Sequence, residues 1–121
     1  MIEDDDDVAR VVGMCLVEAG FEVQRVNTGE AALELMQLES QDAVVLDLGL
    51  PDRLGGEVLC WLRQPPGGNG PPWVVISALE KEEAGRRHGS LGHFLAKPFD
   101  PWALVRILED LIEEGRQRPL G

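Results

Sequence analysis

VVLDLGLPDRLGG, residues 44–56, is the stretch on which the reading of this chain turns. Taken with Asp42 and Ala43, DAVVLDL is a short, nearly continuous apolar run, the mark of a strand buried on both faces. An acid, Asp47, closes the run, and the glycines and proline of GLPDRLGG then impose a loop. In parallel α/β sheets, ligands bind beyond the carboxyl ends of the strands. A buried strand that delivers a carboxylate to such a loop therefore makes the other strand ends the positions to read.

Outward from this stretch, WVVISA (73–78) is a second buried strand and HFLA (93–96) another short one. FEVQRV (21–26) alternates apolar and polar residues, as a half-covered strand does. Helical spacing separates these runs. From Asp7 the positions Val8, Val11, Val12, Cys15, Leu16 and Ala19 form one apolar face, with Gly20 as C-terminal cap. Thr28 caps a second helix bearing Ala31, Ala32, Leu35, Met36 and Leu38, and a third turns Val58, Leu59 and Leu62 toward the core. EKEEAGRRHGS (80–90) is a poor helix, because Gly85 and Gly89 each cost about 1 kcal/mol against alanine. Asp100 caps a last helix that starts at Pro101 and carries Leu104, Ile107, Leu108, Leu111 and Ile112. PPGGNGPP (65–72) is a turn, and GRQRPLG (115–121) is a frayed end or the start of a linker. Strands alternating with helices predict an α/β fold with a parallel sheet covered on both faces.

The 121 residues suit one domain, over 1–115 with a tail at 116–121. A net charge of -11 argues against direct binding of nucleic acid, whose phosphates would repel it. No apolar stretch approaches the roughly 18 residues of a membrane span, and no signal peptide precedes the first element, so the expected location is the cytoplasm. Cys15 and Cys60 lie far apart on apolar helical faces, which predicts buried thiols.

Glu3 and Asp4 follow the first strand, which is unusually short because only Met1 and Ile2 precede them. Asp47 ends the central run, Ser77 ends WVVIS, and Lys97 follows HFLA just before Pro98. Acids gathered at one edge raise each other's pKa unless a cation sits between them. Oxygen ligands with open positions suit a hard divalent ion such as Mg2+. With that charge offset, Asp47 can act as a carboxylate nucleophile toward a phosphoryl group, Lys97 can balance its oxygens, and the Ser77 hydroxyl can donate to one of them.

Taken in order, IEDDDDV, VVLDLGLPDRLGG, VVISA and FLAKPF resemble the receiver domain of two-component response regulators, over essentially the whole chain. The resemblance implies a doubly wound, flavodoxin-like sheet of five parallel strands in the order 2-1-3-4-5. It implies that Asp47 is the phosphoacceptor for a partner histidine kinase or phosphotransfer protein. Glu3, Asp4, Asp47 and the main-chain carbonyl of Gly49 would hold Mg2+ or Mn2+, Lys97 would be the site lysine, and Ser77 and Phe94 the switch residues. It also implies a cis bond between Lys97 and Pro98. The signalling surface would be the fourth helix, fifth strand and fifth helix, open to a partner, a second copy or a C-terminal effector domain. On this reading Asp5 lines the site rim, while Asp6 and Asp7 cap the first helix. Such a domain is no enzyme beyond its own phosphorylation and dephosphorylation. An aspartate-nucleophile phosphohydrolase would want an acid two residues after Asp47, where Gly49 stands. The other alternative is a degenerate, receiver-like interaction domain that takes no phosphate.

Overall fold

β1 (Val44–Asp47) is buried at every residue and pairs in parallel with β2 (Trp73–Ser77), which pairs in parallel with β3 (His93–Ala96). The structure is a computed structural model that describes residues 1–65 and 70–117, so residues 66–69 of the turn expected at 65–72 and the end of the tail lie outside the described residues. Five helices complete the order: α1 (Asp6–Glu18), α2 (Gly29–Leu38), α3 (Gly55–Arg63), α4 (Lys81–His88) and α5 (Pro101–Gln117).

The pleat of the sheet divides the core in two. Val44 and Leu46 face one cluster with Ala32 and Met36 of α2 and Val58, Leu59 and Leu62 of α3. Val45, Val74 and Ile76 face the other, with Val12 and Leu16 of α1 and Leu104, Val105 and Leu108 of α5. This alternation is why the central strands read as unbroken apolar runs: each face has helices to cover it.

The sheet departs from the expected five strands, for only three form among the described residues. The expected first strand is reduced to Ile2, which bridges in parallel to Val26 on one side and Leu46 on the other. Ile2 N–H donates to Val45 O at 2.8 Å, Asp47 N–H to Ile2 O at 2.9 Å, and Val26 N–H to Met1 O at 3.0 Å. Segment by segment the order across the sheet is Val26, Ile2, β1, β2, β3. FEVQRV contributes Val26 alone. Beside it, Gln24 O accepts from the Met1 amino group at 2.7 Å and Glu3 N–H donates to Val26 O at 3.0 Å.

Other expectations at the helix ends can be compared directly. Asp5, not Asp6 or Asp7, caps α1, its Oδ1 accepting from Asp7 N–H at 2.9 Å and Val8 N–H at 3.2 Å. Asp6 and Asp7 occupy the first turn, where acids favour the positive end of the helix. Thr28 caps α2 and Asp100 accepts from Trp102 N–H, as expected. α5 runs from Pro101 to Gln117. Cys60 is exposed rather than buried, because it falls outside the Val58, Leu59 and Leu62 stripe of α3, and Cys15 is half-buried. His93 is exposed, whereas His88 is half-buried.

α4 forms despite its glycines, and its neighbours explain why. Ala84 is fully buried, and Glu83 pairs with Arg87 at 2.8 Å one turn on. Gly89 takes φ 79 at the helix end. Arg63, the last residue of α3, donates through Nη2 to His88 O at 2.6 Å and also to Ser90 O. A cation on the last carbonyls of a helix satisfies orphaned acceptors and complements the dipole. Replacing Arg63 with Met should therefore raise hydrogen exchange of the α4 amides about tenfold or more, a charge-assisted bond being worth ~1.5 kcal/mol. Exchange in α1 and α5 should not change, and undiminished protection of α4 would exclude the clamp.

Candidate functional site

Each strand of the described sheet ends at one edge. Lys97 N–H donates to Ser77 O at 2.7 Å and Leu48 N–H to Ile76 O at 3.2 Å, which aligns the ends of β1, β2 and β3. The Lys97–Pro98 bond is cis, as the resemblance implies. Ile2, bridged to Leu46, brings Glu3 alongside Asp47.

Lys97 Nζ stands between the acids. It donates to Glu3 Oε1 at 3.1 Å and to Asp47 Oδ2 at 3.1 Å, joining residues 94 and 50 positions away in sequence. Glu3 is 0% exposed and Asp47 3%, while Asp4 is exposed. Burial pushes the Glu3 carboxyl up to about 7, against the opposing hydrogen bonds from Lys97 and the Asp5 N–H, and Asp47 pushes it further in the same direction. Burial works against the Lys97 ammonium, yet the hydrogen bond to Glu3 and the charge of Asp47 outweigh it, so its pKa is raised. The pocket thus holds two buried acids on one cation, and is left short of positive charge.

Glu3, Asp4 and Asp47 offer carboxylate oxygens that all lie within 4.8 Å of one another. Glu3 Oε2 is buried without a hydrogen-bond partner, although Lys97 Nζ lies 2.9 Å away. An all-oxygen donor set in which two buried carboxylates share a single ammonium fits a hard divalent cation. Gly49 N–H donates to Asp47 Oδ1 at 3.0 Å. A Cβ built on Gly49 would sit 3.5 Å from that same oxygen, an ordinary contact, so the space over Asp47 is open.

The remaining expected residues are placed differently. Ser77 is 2% exposed and its Oγ accepts from Leu79 N–H at 3.0 Å; it makes no hydrogen bond to Asp47. Phe94 is half-buried against the α2 and α3 cluster, paired in register with Val75 and away from the acids. Asp5 lies beside the site through its N–H, which donates to Glu3 Oε1 at 3.0 Å.

Two residues at this edge escaped the sequence reading. Arg25 donates through Nε to Glu3 O at 3.1 Å. Asp52 accepts from Gly29 N–H at 3.1 Å and Glu30 N–H at 3.0 Å, tying the loop after Asp47 to the start of α2. Those hydrogen bonds, that from Glu30 foremost, lower the Asp52 pKa. The only signal in the sequence was the place of Arg25 one residue before Val26, which becomes informative once the pairing of Val26 with Ile2 is known.

An open parallel α/β sheet thus carries a lysine-bridged acidic cup at its carboxyl edge. Residues 1–109 match the family described as the response regulator receiver domain, and the chain belongs to that family. It is 38% identical over 122 residues to the sensory/regulatory protein RpfC of Xanthomonas campestris pv. campestris, covering 97% of this chain and 17% of RpfC. It is 29% identical to the cell cycle response regulator CtrA of Brucella ovis, covering 96% of this chain and 50% of CtrA. The chain therefore spans only a minor or half share of these relatives. Among solved structures, the receiver domain of a sensor histidine kinase from Pseudomonas aeruginosa superposes with a TM-score of 0.79 at 26% identity, covering 93% of each chain. That structure is described with a magnesium ion coordinated in its active site cleft.

The Glu3 shift has a signed consequence. Its carboxyl binds a proton more tightly folded than unfolded, so the folded state gains protons between pH 4.5 and about 7. Its contribution to stability is present below that window and is lost as pH rises through it. In buffer free of divalent cations, urea unfolding midpoints should fall across this range and then level. Glu3→Gln should flatten that slope, and an unaltered slope would exclude Glu3 as its source.

Proposed function

We propose that the domain receives a phosphoryl group on Asp47 from the phosphohistidine of a partner histidine kinase or phosphotransfer protein. The observation that carries the reading is the Lys97 ammonium, 3.1 Å from both Glu3 and Asp47 at the strand ends. A carboxylate oxygen of Asp47 forms the bond to phosphorus as the bond from phosphorus to the donor imidazole nitrogen breaks, the electron pair leaving with that nitrogen. Lys97 holds Asp47 in place and offsets negative charge on the transferred group. Glu3, Asp4, Asp47 and the Gly49 carbonyl are the ligands proposed for Mg2+ or Mn2+. When bound, such an ion supplies positive charge against the incoming phosphoryl oxygens.

Ser77 Oγ accepts from Leu79 N–H, which leaves its O–H to donate to the phosphoryl group. Phe94 lies on β3 three residues before Lys97 and packs against the cluster that includes Ala84 of α4, which offers a route from the site to the face made by α4, β3 and α5. That face is the proposed docking surface for a partner or a second copy, with any effector domain following α5. Moving the switch from 1:99 to 99:1 needs about 5.5 kcal/mol of difference between the two states. The strongly acidic surface supports a protein partner rather than nucleic acid. Among the described residues no helix is long and apolar enough to cross a membrane. A cytoplasmic location belongs to the same proposal, as does the absence of enzyme activity on other substrates.

The reduction of the first strand to Ile2 favours one rival, a receiver-like domain that binds partners without accepting phosphate. Incubation with acetyl phosphate and Mg2+ separates the two. Intact mass should rise by one phosphoryl group in the parent protein and not in Asp47→Asn; no gain under any condition would favour the rival. Gly49 leaves water a path to the acyl phosphate. Gly49→Asn should lengthen the phosphoryl lifetime several-fold, and a lifetime that scarcely moved would refute that path.

A further inference from the structure

The segment carrying Glu3 and Asp4 has little backbone to hold it. Glu3 N–H reaches Val26 O at 3.0 Å, and beyond that rung the chain leaves the sheet. Asp4 is exposed and forms no backbone hydrogen bond among the described residues before the Asp5 cap starts α1. A proposed ligand thus sits on an unsupported stretch between a one-residue bridge and a helix start.

One side chain spans that stretch from outside. Arg25 Nε donates to Glu3 O at 3.1 Å, and its Nη2 lies 2.9 Å from Asp6 Oδ1 in the first turn of α1. The guanidinium is a planar fork whose nitrogens are fixed relative to one another. Gripping the carbonyl before Asp4 and the carboxylate two residues after it restrains both ends of the Asp4–Asp5 stretch. The Glu3 oxygen belongs to the Glu3–Asp4 peptide, so its direction sets the plane from which the Asp4 side chain departs. The pair with Asp6 is 91% exposed on the acid side and is worth little alone. The part-buried, charge-assisted bond to the carbonyl is the stronger half.

We infer that Arg25 is a positioning residue for the divalent-cation site, orienting the Glu3–Asp4 peptide so that the Asp4 carboxylate meets those of Glu3 and Asp47. The inference rests on the reading that these three acids hold a divalent cation. Arg25 touches neither the ion nor the reacting atoms; it acts through the backbone. Partners behind the ligands of a metal site cost about tenfold in affinity when removed.

The test is a Mn2+ titration of the full chain, followed through the electron paramagnetic resonance signal of the free ion. Arg25→Ala should weaken binding about tenfold. Arg25→Lys keeps the charge but cannot reach both groups, and should weaken it nearly as much. In metal-free buffer the unfolding midpoints of both variants should match the parent, while the backbone heteronuclear NOE of Asp4 and Asp5 should fall. Parent-like affinity in Arg25→Ala, full rescue by Arg25→Lys, or a matching loss of metal-free stability would each overturn the inference. A parent protein that binds no Mn2+ would remove the cation reading itself and this inference with it. Binding by the parent with an indifferent Arg25→Ala would remove the inference alone.

Discussion

The ammonium of Lys97 between Glu3 and Asp47 is the contact on which the rest depends. Two carboxylates that are 0% and 3% exposed share one cation. Taking charges out of water costs more than their mutual attraction returns unless further hydrogen bonds complete the set. Here the Asp5 N–H serves Glu3 and the Gly49 N–H serves Asp47, yet buried Glu3 Oε2 has only its ion pair with the shared Lys97 ammonium at 2.9 Å. The site is poised rather than satisfied, and its unmet negative charge is what makes it receptive to a further cation.

That poise constrains the sheet. Lys97 reaches both acids only if β3 ends level with β2 and β1, which the Lys97 N–H to Ser77 O bond at 2.7 Å secures. It also needs Ile2 seated between Val26 and Leu46, although the ladder there is a single residue long. A bridge so short gives few backbone bonds to the acidic segment, and side chains take over the task. Asp5 caps α1, and Asp52 anchors the loop after Asp47 to the first turn of α2. Local brevity in the sheet is compensated by polar contacts from neighbouring elements.

α4 shows the same division of labour. Its own sequence is a weak helix, and its two ends complement the dipole with Glu82 and Glu83 at one side and Arg86, Arg87 and His88 at the other. Ala84 buries completely and Arg63 holds the carboxyl end from α3. A helix stabilised mainly by its neighbours responds when those neighbours move, which is the property the proposed signalling face requires.

Much was legible in advance, for identifiable reasons. β1 and β2 announced themselves because strands covered on both faces must be apolar throughout, β3 showed as a short apolar run, and Thr28, Asp100 and Pro101 marked helix starts through local backbone chemistry that needs no partner. Asp47 and Lys97 were legible because each ends such a strand. FEVQRV was legible only in part, for among the described residues it forms one bridge, Val26 to Ile2, with Gln24 O accepting from the Met1 amino group beside it. The α1 cap slipped by one or two residues because five consecutive acids offer equivalent caps, and only the seating of Ile2 selects Asp5. Arg25, Arg63 and Asp52 were invisible for one reason: the groups they brace lie on other elements, distant in sequence. By itself, then, the sequence determined the alternating elements, the family and the acids and lysine at the strand ends, because these follow from periodicity and short-range backbone preferences. Tertiary structure alone decided which acid caps, which cations brace the site and how short the first strand could be, because hydrogen-bond geometry between distant segments exists only after they pack.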